Sequence, residues 1–149
     1  ITENCSCMKN SAPPPIMLID DDYIDRMTVI RAMKDSKINN QPIFASNGQE
    51  ALDILTDEKT AEPCLILLDL NMPEMSGWEL LRHIRALETL ARDITVIVIS
   101  ADIQVDETSQ EWQLTSGIFL TKPIAPEQLW DALHEAARLR IAKTAASKV

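Results

Sequence analysis

Short unbroken apolar runs alternate with longer amphipathic ones along this chain. Ile16 to Ile19, Cys64 to Leu68 and Thr95 to Ile99 contain no charged residue. Runs of that kind fit strands buried on both faces of a sheet. Pro42 to Ser46 and Gly117 to Thr121 read as two further strands. The intervening stretches have helical spacing. Tyr23 to about Ser36 places Met27, Ile30 and Met33 on one face, and Ala51, Ile54 and Leu55 give a short helix after the Asn47-Gly48 turn. Gly77 to about Leu87 turns Leu80, Leu81 and Ile84 inward, and Pro126 to about Ile141 does the same with Leu129, Leu133 and Ala136 or Ala137. Between them, about Val105 to Leu114 reads as a helix of poor pattern. The pattern is β-α repeated five times: an α/β fold with a parallel sheet covered by helices on both faces. It predicts one domain over residues 16–141. Residues 1–15, ending in Pro13-Pro14-Pro15, read as a disordered lead and 142–149 as a frayed tail.

Composition narrows the function classes. The chain has 149 residues and a formal net charge of −9, which argues against a general nucleic-acid binder and fits a chain that binds cations or basic partners. No apolar run approaches the length of a membrane span. Three cysteines are no disulfide framework, and Cys5 and Cys7 lack a second ligand pair for a metal. A reducing cytoplasm is the expected compartment. Cys64 reads as an inert buried strand residue.

In an open parallel sheet, chemistry gathers at the carboxyl ends of the strands. Here those ends are Asp20-Asp21-Asp22, Asp69, Ser100 and Lys122-Pro123, with the uncharged Ser46-Asn47 after the second strand. Converging carboxylates repel, by about 4 kcal/mol per pair at ~4 Å and an effective dielectric near 20. Lys122 offsets part of this, and a hard divalent cation such as Mg²⁺ would offset more. Acids, a hydroxyl and a lysine around such a cation suit a phosphoryl group, which a carboxylate can accept covalently. Asp22 directly precedes a helix and reads as its N-cap.

The motifs "LIDDD", "LLDLNMPEMSG", "VIVISA" and "FLTKP", in this order, resemble the receiver domain of two-component response regulators, from about Ile16 to Arg140. The resemblance implies a flavodoxin-like (βα)5 fold with strand order 2-1-3-4-5. It implies that Asp69 accepts a phosphoryl group from a histidine kinase or phosphotransfer protein. It gives the Mg²⁺ site to Asp20, Asp21, Asp69 and the backbone carbonyl of Asn71. Ser100 is then the switch hydroxyl, Lys122 pairs with the acceptor and its phosphate, and Lys122-Pro123 is a cis bond. Phe119 takes the aromatic switch position, although an aromatic in a short strand also reads as core. Gly77 opens the helix after the acceptor loop.

Output is expected from a stand-alone receiver through a protein-binding face of helix four, strand five and helix five, around Phe119, Trp112 and Trp130. Trp78 reads as packing or half-exposed surface, and His83 and His134 as surface residues. The chain departs from the family at Thr115-Ser116, where Gly-Ala is usual, and in longer loops around Lys59 to Pro63 and Leu87 to Asp93. Rival readings are a phosphorylation-independent scaffold, a fragment of a larger regulator, and a phosphohydrolase. The last would want a carboxylate where Asn71 stands.

Overall fold

Successive residues of the first strand point to opposite faces of the sheet, and both faces are dry. In the computed structural model, Ile16, Met17, Leu18 and Ile19 are all buried. Ile16 and Leu18 join one core cluster, and Met17 and Ile19 the other. This two-sided burial explains why the strands carry no alternating polar pattern. The structure describes residues 13–57, 59, 62–72, 74–87, 94–101 and 108–147, with side chains described as far as residue 139.

The strands are β1 (Ile16–Ile19), β2 (Pro42–Ala45), β3 (Leu65–Asp69), β4 (Thr95–Ser100) and β5 (Ile118–Thr121). They form one parallel sheet in the order β2-β1-β3-β4-β5. The helices are α1 (Tyr23–Asp35), α2 (Gly48–Thr56), α3 (Gly77–Arg85), α4 (Gln110–Leu114) and α5 (Pro126–Ser147). On one face Val29, Ala32 and Met33 of α1 and Leu129, Ala132 and Ala136 of α5 cover Leu18, Leu67, Ile97 and Ile99. On the other, Ala51 of α2 and Leu80, Leu81 and Ile84 of α3 cover Ile19, Ile66, Leu68, Val96 and Val98. Strand order reverses between β1 and β3, so the crevice expected of such a sheet lies above their carboxyl ends.

Several elements differ from the sequence reading. Met27 is 40% exposed and the inward stripe of α1 is Val29, Ala32 and Met33. Apolar residues occupy both sides of this helix, so periodicity alone picks the wrong stripe. Cys64 is half-buried and precedes β3, which runs on to Asp69. Helix α4 begins only at Gln110, where the Ser109 side chain caps it by accepting from the Trp112 N–H. Residues 102–107, the rest of that expected helix, lie outside the described residues. Helix α5 continues to Ser147, through Ala- and Lys-containing sequence of good helix propensity. Of the expected N-terminal lead, residues 1–12, including Cys5 and Cys7, lie outside the described residues. Among those described, no helix is long and apolar enough to cross a membrane.

Candidate functional site

Four strand ends deliver the polar residues to one rim. Asp20 directly follows β1, Asp69 ends β3, Ser100 ends β4 and Lys122 directly follows β5. Backbone bonds extend the ladder beyond the strands and fix the rim: Asp20 N–H to Ala45 O at 3.1 Å, Leu70 N–H to Ile99 O at 3.1 Å, and Lys122 N–H to Ser100 O at 2.9 Å. Asp20, Asp69 and Ser100 are 1%, 3% and 1% exposed. A carboxylate so buried needs a charge partner.

Lys122 is that partner. Its Nζ lies 3.3 Å from Asp20 Oδ2 and 3.3 Å from Asp69 Oδ2. It also donates to Asp25 Oδ2 at 2.5 Å. Burial works against the Lys122 charge, but the bond to Asp25 and the charges of Asp20 and Asp69 outweigh it and raise the pKa. Asp20 is pushed up to about 6, first by burial, with Asp69 adding repulsion. The Asp22 N–H, donating to Asp20 Oδ1 at 2.9 Å, and the charge of Lys122 oppose that shift.

Asp69 is held from both sides. Its Oδ1 accepts the Asn71 backbone N–H at 3.1 Å while Oδ2 faces Lys122. The Asn71 side chain donates to Ser100 Oγ at 3.1 Å, so one residue touches both acceptor and hydroxyl. Behind the loop, a Cβ added at Gly77 would lie 2.7 Å from Leu70 Cα and 2.8 Å from the Asp69 carbonyl oxygen. Only a residue without a side chain lets α3 approach the acceptor strand this closely. Ser76 caps α3 by accepting from Glu79 N–H.

One oxygen each from Asp20, Asp21 and Asp69 lies within 4.8 Å of the others. This all-oxygen, net-negative donor set fits a small divalent cation. The Asn71 carbonyl belongs to the same loop. Asp22 stands apart from this group and caps α1, its Oδ1 accepting from Ile24 N–H at 2.8 Å.

The response regulator receiver domain family matches residues 16–134. The chain belongs to the response regulator receiver family. It is similar to the nitrate/nitrite response regulator protein NarL of Escherichia coli, 32% identical over 130 residues, which are 87% of this chain and 57% of NarL. The chain thus spans little more than half of that relative. It is similar to the sporulation initiation phosphotransferase F of Bacillus subtilis, 30% identical over 120 residues, covering 80% of this chain and 90% of that one. The solved Mn²⁺-bound form of response regulator Rcp1 matches with TM-score 0.66 and 31% identity, over 80% of this chain and 88% of that one.

The Thr115-Ser116 pair closes the loop into β5. Ser116 Oγ accepts the Val96 N–H at 2.9 Å. Thr115 Oγ1 donates to the Trp112 carbonyl at 2.7 Å and accepts the Gly117 N–H at 3.1 Å. Two hydroxyls therefore satisfy backbone groups around Gly117, whose φ of 78° suits glycine. Half-buried Phe119 packs on the α3 side of the sheet and stacks on Trp112, centroids 5.0 Å apart. Trp130 is exposed and stacks on His134. Trp78 packs half-buried against the core. His83 and His134 are exposed, each ring beside a carbonyl one turn back on its own helix. The Lys122-Pro123 bond is cis.

The sequence reading brought together Asp20, Asp21, Asp69, Asn71, Ser100 and Lys122, and these residues do share the rim. It missed Asp25, which reads in sequence as an ordinary first-turn acid complementing the helix dipole. It also missed the Asn71 amide, whose partner lies 29 residues away.

Proposed function

We propose that this receiver accepts a phosphoryl group on Asp69 from a histidine kinase or histidine phosphotransfer protein in the cytoplasm, and that this changes a protein-binding surface. The observation that carries the reading is the convergence of Asp20, Asp21 and Asp69 within one cation's reach, with Lys122 beside the acceptor oxygen.

Asp20, Asp21, Asp69 and the Asn71 carbonyl would hold Mg²⁺. When bound, that ion neutralises phosphoryl oxygens and relieves the repulsion among the acids. An Asp69 carboxylate oxygen attacks the phosphorus of the donor's phosphohistidine. The new O–P bond forms as the P–N bond breaks, and the electron pair leaves on the imidazole nitrogen. Asn71 N–H orients the attacking carboxylate. Lys122 shifts its interaction from the carboxylate to a phosphoryl oxygen, where charge accumulates. Ser100 donates its hydroxyl to another phosphoryl oxygen.

Ser100 and Phe119 stand on neighbouring strands two residues apart in register, Phe119 pairing with Val98 and Ser100 with Thr121. Movement of Ser100 towards the phosphoryl group makes room for Phe119 and its partner Trp112 to repack. The expected output face is α4, β5 and α5, on which a protein target would read the change. In this role the domain is a signalling module whose only chemistry is its own phosphorylation and slow hydrolysis.

The test is binding of beryllium trifluoride, a phosphoryl mimic, followed by ¹⁹F NMR with Mg²⁺ present. Wild type should show bound signals that Asp69→Asn lacks. Absence of binding to wild type would favour a scaffold that uses the fold without phosphorylation.

A further inference from the structure

We infer that Asp25 is a positioning residue of the phosphoacceptor site: it draws the Lys122 ammonium towards α1 and so tunes the site for cation over anion. The inference rests on the proposed receiver chemistry and concerns a residue outside the acceptor, metal and switch set.

Among the described residues, Lys122 has three carboxylates around it, and the nearest is not the acceptor. Asp25 Oδ2 is 2.5 Å from Nζ, against 3.3 Å for both Asp20 and Asp69. The two farther acids are almost fully buried, whereas the Asp25 side chain is 32% exposed. An ammonium drawn only by buried charges would settle between Asp20 and Asp69, where it would compete with a divalent cation. Asp25, presented from the first turn of α1, supplies a competing acid on the solvent side. The α1 cap fixes its place, since Asp22 Oδ1 accepts both the Ile24 and Asp25 N–H groups.

The consequences for cation and anion have opposite signs. Asp25 draws Lys122 towards the solvent side, although the ammonium still pairs with Asp20 and Asp69 at 3.3 Å, and its own charge adds to their attraction for Mg²⁺. After phosphorylation the same carboxylate competes with the phosphoryl oxygens for Lys122 and repels them. Asp25 therefore favours metal loading and limits retention of the phosphoryl group. A residue that merely supported the fold would weaken both binding events together.

The experiment measures two affinities on wild type, Asp25→Asn and Asp25→Glu. Mg²⁺ affinity is titrated on the unphosphorylated protein, and beryllium trifluoride affinity at saturating Mg²⁺. For Asp25→Asn, Mg²⁺ binding should weaken and trifluoride binding tighten, each by roughly 1.5- to 5-fold, the range for an exposed ion pair. Asp25→Glu should return both towards wild type. Both affinities unchanged, or both weakened, overturns the inference. Thermal melting of the variants tells a folding defect from a local one. Wild type that binds neither ligand would instead overturn the phosphoacceptor reading itself.

Discussion

The side-chain amide of Asn71 donates to the hydroxyl of Ser100 at 3.1 Å. The bond ties the loop after the acceptor to the end of the neighbouring strand, and it engages the group expected to move on phosphorylation. Asn71→Ala removes that donor beside a buried oxygen. We expect a loss of about 1 kcal/mol in urea unfolding, the usual net value of one such bond. Beryllium trifluoride binding should survive, because the Asn71 backbone groups remain.

Lys122→Met should reveal what the ammonium compensates. Asp20 and Asp69 would remain buried without their shared cation, a change costing about 3 kcal/mol when a buried pair is broken. The cost should appear at pH 8 and shrink at pH 5, where protonation of Asp20 relieves the pair. Added Mg²⁺ should restore much of the loss and bind more tightly than to wild type. Denaturant melts at the two pH values, with and without Mg²⁺, check this.

The raised pKa of Asp20 gives a signed pH dependence. Its folded value of about 6 lies above the ordinary 3.8, so between these values the folded state binds more protons than the unfolded one. Stability of the metal-free protein should therefore fall as pH rises from about 4 to about 6, by up to about 3 kcal/mol for this one group. Mg²⁺ needs the carboxylate, so its affinity should drop below about pH 6. Unfolding curves across this window, without metal, read the first effect, and Mg²⁺ titrations the second.

Gly77→Ala should damage the site through the backbone. Its Cβ would meet Leu70 Cα at 2.7 Å and the Asp69 carbonyl at 2.8 Å. Neither is a flexible side chain, so α3 or the acceptor loop must shift. We expect a loss of about 1–3 kcal/mol together with weaker Mg²⁺ binding, measured by thermal melting and by titration.

The strands and the rim were legible because each buried run ends abruptly on a polar residue. Asp20, Asp69, Ser100 and Lys122 announce themselves by that break. Asp25 did not, because nothing local distinguishes a first-turn acid that neutralises a helix dipole from one that reaches a lysine 97 residues later. Met27 misled because α1 has apolar residues on both sides, and burial there follows contact with α5. The role of Ser116 was hidden for a similar reason: its hydroxyl serves the Val96 N–H, 20 residues back and brought close only by folding, whereas Thr115 serves Trp112 and Gly117 close by in sequence.

The central claim is that Asp69 is the phosphoacceptor of a cation-dependent site. Intact-mass spectrometry after incubation with a small acyl phosphate tests it most directly. Wild type with Mg²⁺ should gain the mass of one phosphoryl group, and it should gain none after chelation or in Asp69→Asn. An unmodified wild type in Mg²⁺, or an Asp69→Asn protein modified to the same extent, would contradict the account.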